Sequence, residues 1–336
     1  MTRVFITGTA GFIGYHLAEL LLAEGHEVHG LDGFTDYYDL NLKRRRHERL
    51  LQSPFYSATE AMLEDEAALS SAIDGFAPEI VVHLAAQAGV RYSLENPRAY
   101  IDSNIVGTFN VMEAARRHDV RHLLMASTSS VYGANTEMPF SETQKADTPL
   151  TIYAATKKAT EAMGHAYAHL HDLPTTMFRF FTVYGPWGRP DMAPIKFALR
   201  IARGEPIDVY NHGEMFRDFT YVTDLVRGIR LLMDAAPVRP ADGVVPEGDS
   251  LSPVAPFRVV NIGNSTSVKL TDFIDALEAE LGRPAIRNLM DMQPGDVPAT
   301  WADATLLHRL TGYRPETDFR EGVARFVAWF RDYYRL

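Results

Sequence analysis

Apolar residues fall along this chain in two alternating rhythms. Short, nearly unbroken apolar runs at 3–7 (RVFIT), 78–86 (PEIVVHLAA), 121–127 (RHLLMAS) and 174–180 (PTTMFRF) have the composition of strands buried on both faces of a parallel sheet. Residues 12–24 carry apolar side chains at 12, 13, 17, 20 and 21, close to helical spacing, and Gly25 reads as the stop of that helix. A second strand, EVHGLD (27–32), follows, and longer helical patterns cover about 97–117 and 152–171. Strands alternating with helices predict an α/β fold built on a doubly wound parallel sheet with right-handed crossovers. After residue 184 the texture changes. YGPWGRPDMAP is full of turn formers, and 239–256 (RPADGVVPEGDSLSPVAP) is rich in Pro, Gly and Ser and reads as a surface loop. The expectation is a first domain over 1–183 and a smaller C-terminal α/β lobe over 184–336, with segments within about 217–262 returning to the first domain.

Three glycines, at 8, 11 and 14, separate the first strand from the first helix. Gly8 allows the tight turn, Gly11 lets a pyrophosphate approach the backbone, and Gly14 lets the helix pack close to the sheet. The N–H groups opening the helix would then bind phosphates. Taken alone, the triplet fits a plain strand–turn–helix equally well. Asp32 changes the balance, because it ends the second strand about 20 residues on, where an acid binds the adenosine ribose hydroxyls. The unit therefore reads as a Rossmann-type dinucleotide site. The charge of Asp32 would repel a ribose 2′-phosphate, which favours NAD over NADP. The basic run 42–50 (LKRRRHERL), with Arg44–Arg46, could hold such a phosphate, but runs of this kind are mostly solvated helix faces.

Composition narrows the field. The length, 336 residues, suits one large α/β domain or two modest ones. With no cysteine, disulfides, thiolate catalysis and cysteine-ligated metals are excluded, and a reducing, cytoplasmic setting is expected. No apolar run is long enough for a bilayer span, and MTRVFITG lacks the order of a signal peptide. A formal charge of −10 argues against extended contact with nucleic acid.

The chemistry concentrates in two stretches. ASTSSVYG (126–133) follows a strand, so its hydroxyls emerge at the carboxyl end of the sheet, where doubly wound folds bind ligands. YAATK (153–157) opens a helix, and Tyr153 and Lys157, four residues apart, share one face of it. A lysine ammonium beside a phenol favours the phenolate, which would let Tyr153 act as general base and acid, with Thr128 holding the same substrate oxygen. Arg189, presented between Gly188 and Pro190, adds a cation to the donors Thr128, Ser129, Ser130 and Thr182, a set suited to a carboxylate, though Arg189 could also bind a phosphate or a carbonyl. His165, His169 and His171 have a spacing that metals use, but no HExxH glutamate accompanies them. They are expected on a solvated or subunit-facing surface, and no metal site is expected.

The segments GTAGFIG, HLAAQAGVRYS, DSNIVGTFNVMEAAR, ASTSSVYG, YAATKKATE, RFFTVYGPWGRPDMA, RDFTYV, NIGN and PGDVPATWAD resemble, in order and over nearly the whole chain, the nucleotide-sugar epimerases and dehydratases of the extended short-chain dehydrogenase/reductase family. The set looks most like the UDP-glucuronate 4-epimerases. The resemblance implies tightly bound NAD held by Gly8, Gly11, Phe12, Ile13, Gly14, Asp32, Leu63, Leu84, Ala85, Ala86, Tyr153 and Lys157. It implies catalysis by Thr128, Tyr153 and Lys157, and a UDP-hexuronic acid bound by Arg91, Thr128, Ser129, Ser130, Tyr153, Thr182, Arg189, Tyr210, Arg217 and Asp296. It also implies a homodimer paired through the helices at about 97–117 and 152–171.

Departures refine the resemblance. Met62 stands where relatives often place an acid near the adenine, which leaves a main-chain contact from Leu63. Thr182 and Gln293 differ from the Asn and Arg of UDP-galactose epimerases. Ser129 and Ser130 stand where dehydratases place Asp-Glu, which disfavours 4,6-dehydration. Decarboxylation of the keto intermediate stays open. A NAD-binding sensor would show a broken Tyr/Lys pair, and here both residues are present.

Overall fold

The computed structural model describes residues 1–336. The chain opens with β1 (Arg3–Thr7), α1 (Phe12–Ala23), β2 (Glu27–Asp32), α2 (Leu40–Leu50), β3 (Tyr56–Glu60), α3 (Glu66–Phe76) and β4 (Ile80–His83). Two single-turn helices, α4 (Tyr92–Glu95) and α5 (Pro97–Tyr100), lead through a wider π-helical turn at Ile101–Val106 into α6 (Gly107–Arg117). Then come β5 (His122–Thr128), α7 (Ile152–His171) and β6 (Thr175–Phe180). The remainder comprises β7 (Thr182–Tyr184), α8 (Ala193–Arg203), β8 (Pro206–Tyr210), β9 (Phe216–Tyr221), α9 (Val222–Leu232), β10 (Phe257–Ile262), β11 (Ser267–Lys269), α10 (Leu270–Leu281), β12 (Ile286–Met290), β13 (Ala299–Thr300), α11 (Thr305–Thr311) and α12 (Phe319–Tyr334).

Seven strands form one parallel sheet in the order β10-β6-β5-β4-β1-β2-β3. β1 lies between β2 and β4, so the chain leaves its neighbours toward opposite edges. The carboxyl ends of these three strands frame the crevice where doubly wound sheets bind ligands. Both faces are covered. Leu17 and Leu21 of α1 pack with Leu225, Val226 and Ile229 of α9 on one side. Leu69 and Ile73 of α3 pack with Val111 and Ala115 of α6 on the other. The strands are accordingly buried over Val4–Thr7 of β1 and throughout β4, β5 and β10. β3 is one of the two edge strands, and only Tyr56 of its five residues is buried, so its hydropathy carries little strand signal.

The second lobe has its own core, in which Phe219, Phe273, Phe326 and Phe330 are fully or nearly buried. β9 pairs there with β7, β11 and β13, and β8 with β12. The strand expected over 78–86 contracts to Ile80–His83, and residues 84–86 leave the ladder to line the crevice. The helix expected over 97–117 contains the π-helical turn. The helix over 152–171 has those bounds: Thr151 caps it by accepting from the Ala154 N–H (3.2 Å), and Asp172 ends it in the left-handed region.

Candidate active site

The crevice is a cavity of about 440 Å³. Its walls include Gly8, Gly11, Phe12, Ile13, Gly14 and Asp32 at one end, Leu63, Leu84, Ala85 and Ala86 along one side, and Thr128, Tyr153, Lys157 and Arg189 at the other end. Elements far apart in sequence thus bring the glycine loop and the Tyr/Lys helix onto one space.

The loop after β1 is tight enough to require its glycines. Gly8 has φ +83°, and a Cβ there would meet the Ala85 backbone nitrogen at 2.9 Å. A Cβ on Gly14 would fall 2.0 Å from the Gly8 carbonyl oxygen, so Gly14 serves closure of the loop itself rather than only packing of helix on sheet. No side chain caps α1, which leaves its first-turn N–H groups available to an anion. The Asp32 carboxylate accepts from Ala10 N (3.0 Å) and Phe34 N (2.9 Å), which fixes it at the end of β2. The Leu63 carbonyl is taken by Asn110 Nδ2 (2.9 Å), while Met62 lies against Gly33 on the cavity wall. These residues fit a dinucleotide.

At the other end, Lys157 is 4% exposed and donates to the Ala126 carbonyl (2.9 Å). Burial lowers its amine to about 8. Burial pushes the Tyr153 phenol above its ordinary range, opposed by the Thr128 hydroxyl and by the charge of Arg189. Lys157 is not among the groups that act on the phenol. The ammonium is turned to a strand carbonyl, and the protein's own counterweight comes from Thr128 and Arg189. The Thr128 hydroxyl accepts from Ser130 N (3.2 Å), which closes the turn that carries half-buried Ser129 and Ser130. Thr182 lies between Phe181 and Val183, both on the cavity wall.

Arg189 is not a free cation. Its Nε and Nη2 donate to the Asp191 carboxylate (3.1 and 2.6 Å), and Nη2 also reaches the Ala88 carbonyl (3.3 Å). Tyr37 and Tyr38 stand over the guanidinium at 5.7 and 5.9 Å from the ring centroids. Sequence reasoning missed both tyrosines and Asp191, although Asp191 is only two residues from Arg189.

The remaining predicted residues form an outer cluster where the lobes meet. Arg91 pairs with Asp296 (3.0 Å) and stacks on Tyr210 (4.2 Å). Arg217 donates to the carbonyls of Val297 (2.8 Å) and Pro298 (3.3 Å). Burial lowers its pKa and Asp296 works against that.

The basic run on α2 is a solvated face at Arg44 and Arg45, as expected, but not at Lys43 and Arg46, which are buried. Arg44 is forked onto Glu60 (2.7 and 2.9 Å), Arg45 stacks on Tyr333 (4.9 Å), and Arg46 is fully buried. Of the three, Arg46 is withdrawn from solvent altogether. His169 and His171 are exposed, as expected for a surface, and His165 is half-buried. His165 Nε2 bonds the Ser252 hydroxyl (2.8 Å) and His169 Nδ1 bonds the Val254 carbonyl (2.8 Å), so both are clasped by the loop before β10.

Residues 4–245 match the model of the NAD dependent epimerase/dehydratase family. The chain is 56% identical over 335 residues to the probable UDP-glucuronate 4-epimerase of Rhizobium meliloti (strain 1021), covering 99% of this chain and 98% of that one. It is 44% identical over 336 residues to UDP-glucuronate 4-epimerase 4 of Arabidopsis thaliana, covering 98% and 76% respectively. Its fold matches the crystal structure of the Bacillus cereus UDP-glucuronic acid 4-epimerase in complex with UDP-glucuronic acid and NAD, with a TM-score of 0.87, 28% identity and coverage of 99% and 100%.

Proposed function

The chain belongs to the NAD dependent epimerase/dehydratase family, and from that premise we propose that it interconverts UDP-glucuronate and UDP-galacturonate by inverting C4 of the sugar. One observation carries the reading: Tyr153, Lys157, Thr128 and Arg189 line the same cavity as the glycine loop and Asp32. The R. meliloti and Arabidopsis relatives and the B. cereus structure carry the corresponding names.

NAD, when bound by the loop and Asp32, supplies the acceptor and donor of hydride for C4. Tyr153 accepts the proton of the 4-hydroxyl and returns it after the 4-keto ring has turned over in the site. Thr128 holds the same oxygen. Lys157, whose ammonium donates to the Ala126 carbonyl, would hold the cofactor ribose hydroxyls with its remaining N–H groups. The outer cluster of Arg91, Tyr210, Arg217 and Asp296 anchors the UDP while the sugar rotates. Arg217, bonded in the chain alone only to carbonyls, gains in the diphosphate a charged partner. The 4-keto hexuronate is a β-keto acid and can lose CO₂. Thr128, Ser129, Ser130, Thr182 and Arg189 hold the carboxylate away from the geometry that releases it.

Tyr153 and Lys157, both lining the cavity, support turnover over a sensor role. Exposed Ile101, Val106, Phe109, Leu150 and Ile152, on or beside the helices around 97–117 and 152–171, support a homodimer. No helix is long and apolar enough to cross a membrane. The cysteine-free composition supports the cytoplasm as the site of action. Incubation with UDP-glucuronate, followed by proton NMR, tests the activity: UDP-galacturonate accumulates to equilibrium. A UDP-pentose as the main product, or equal turnover of UDP-glucose, overturns the reading.

A further inference from the structure

α2 carries one side chain whose position neither the fold nor the reaction explains. Arg46 is 0% exposed, and no carboxylate pairs with it. Its Nη1 donates to the Ala10 carbonyl (2.8 Å) and to the Tyr38 hydroxyl (2.9 Å). Its Nη2 donates to the carbonyls of Trp187 and Gly188, the latter at 3.0 Å. Its Nε has no partner. Burying a cation on neutral oxygens alone is costly, so a purely structural site of this kind would be better filled by an apolar side chain.

The four acceptors define what Arg46 joins. Ala10 lies within the glycine loop between Gly8 and Gly11. Trp187 and Gly188 lie immediately before Arg189. Trp187 has φ +59°, a left-handed conformation that bulky residues rarely adopt. Three further contacts hold the same segment: His16 on α1 bonds the Pro186 carbonyl (2.8 Å), and Tyr15 and Trp329 pack on the Trp187 ring (5.8 and 5.5 Å between centroids). Tyr38, which also takes a bond from Arg46, stands over Arg189.

We propose that Arg46 is a positioning residue that locks the cofactor loop to the Trp187–Arg189 turn, so that the dinucleotide and the sugar carboxylate are held in one register. It touches neither ligand. It acts through Ala10 on one side and through the Trp187 and Gly188 carbonyls and Tyr38 on the other. The sugar side of this proposal rests on the hexuronate reading above; the coupling of the two loops does not.

Arg46→Lys and Arg46→Met test it. Lysine keeps the charge but cannot fork across both loops. Hydrogen exchange read by mass spectrometry, with NAD present, is expected to quicken in peptides covering 8–15 and 183–192 and to stay unchanged in β5 and α7. Loss of these charged hydrogen bonds is expected to weaken UDP-glucuronate by about 10-fold while UDP affinity holds within about 2-fold. The share of keto-pentose released should rise. Exchange that is unchanged, or that quickens equally across the sheet, overturns the proposal, as does equal weakening of UDP and UDP-glucuronate. If the methionine variant does not fold, the lysine variant decides. If the wild type leaves UDP-glucuronate untouched, the functional reading fails, and the exchange measurement still decides the role of Arg46.

Discussion

Arg189 folds its guanidinium back onto Asp191, two residues along the same loop, with Nη2 2.6 Å from one carboxylate oxygen. The pair meets the sugar as a nearly neutral unit in which Nη1 alone makes no bond within the chain. Arg189→Ala removes the remaining charged donor and leaves Asp191 to repel the substrate carboxylate. Turnover of UDP-glucuronate is expected to fall by about 10²-fold, the size of a lost charged hydrogen bond, with UDP affinity nearly unchanged. Steady-state kinetics and calorimetric titration with UDP check this; equal losses in both would place Arg189 on the diphosphate.

Tyr153→Phe keeps the ring and deletes the proton carrier. A loss of at least ~10²-fold in turnover is expected, with UDP-sugar affinity preserved. Near-normal turnover would remove Tyr153 from the proposed role.

Asp32 should make the wild type carry NAD when its nucleotide is released by denaturation and separated by chromatography. Asp32→Ser is expected to weaken NAD retention and to narrow the preference over NADP. Mainly NADP from the wild type would overturn the reading of Asp32 and return the Arg44–Arg46 run as a phosphate site.

Glu142 is a buried carboxyl outside the site. Burial raises it to about 7, although its Oε1 accepts from Asn261 N (2.7 Å). Between the ordinary carboxyl value and about 7 the folded chain therefore binds the extra proton, and stability declines as pH rises through that window. Glu142→Gln keeps the acceptor and removes the charge. Its melting temperature is expected to match the wild type at pH 5 and to exceed it at pH 8. An equal difference at both values would exclude titration of Glu142 as the cause.

The first βαβ unit and the Tyr/Lys helix were legible because their signals are local. Glycine spacing fixes a turn, and α7 has a threonine cap at the residue before its start. Arg46 was hidden because a run of four cations reads as a solvated face, and the run alone does not say which member points inward. A signal existed: Leu42, Arg46 and Leu50 are four apart, and all three are buried. The neutralisation of Arg189 and the aromatic cover of Tyr37 and Tyr38 depend on loops whose paths no periodicity encodes. His165 and His169 had the right helix, but their partner is a proline-rich loop that meets them only after the sheet is assembled.

β10 pairs with β6 along six residues, and α9 covers α1. The cofactor-binding sheet is therefore unfinished when a ribosome has emitted the first half of the chain. Until residue 232 has emerged the apolar face of α1 lacks its cover, and until residue 262 β6 remains an open edge. A nascent chain must protect that edge for the time needed to synthesise about 80 further residues, several seconds at ordinary elongation rates. A gene fragment that ends after β6 would encode an adhesive intermediate rather than a nucleotide-binding module.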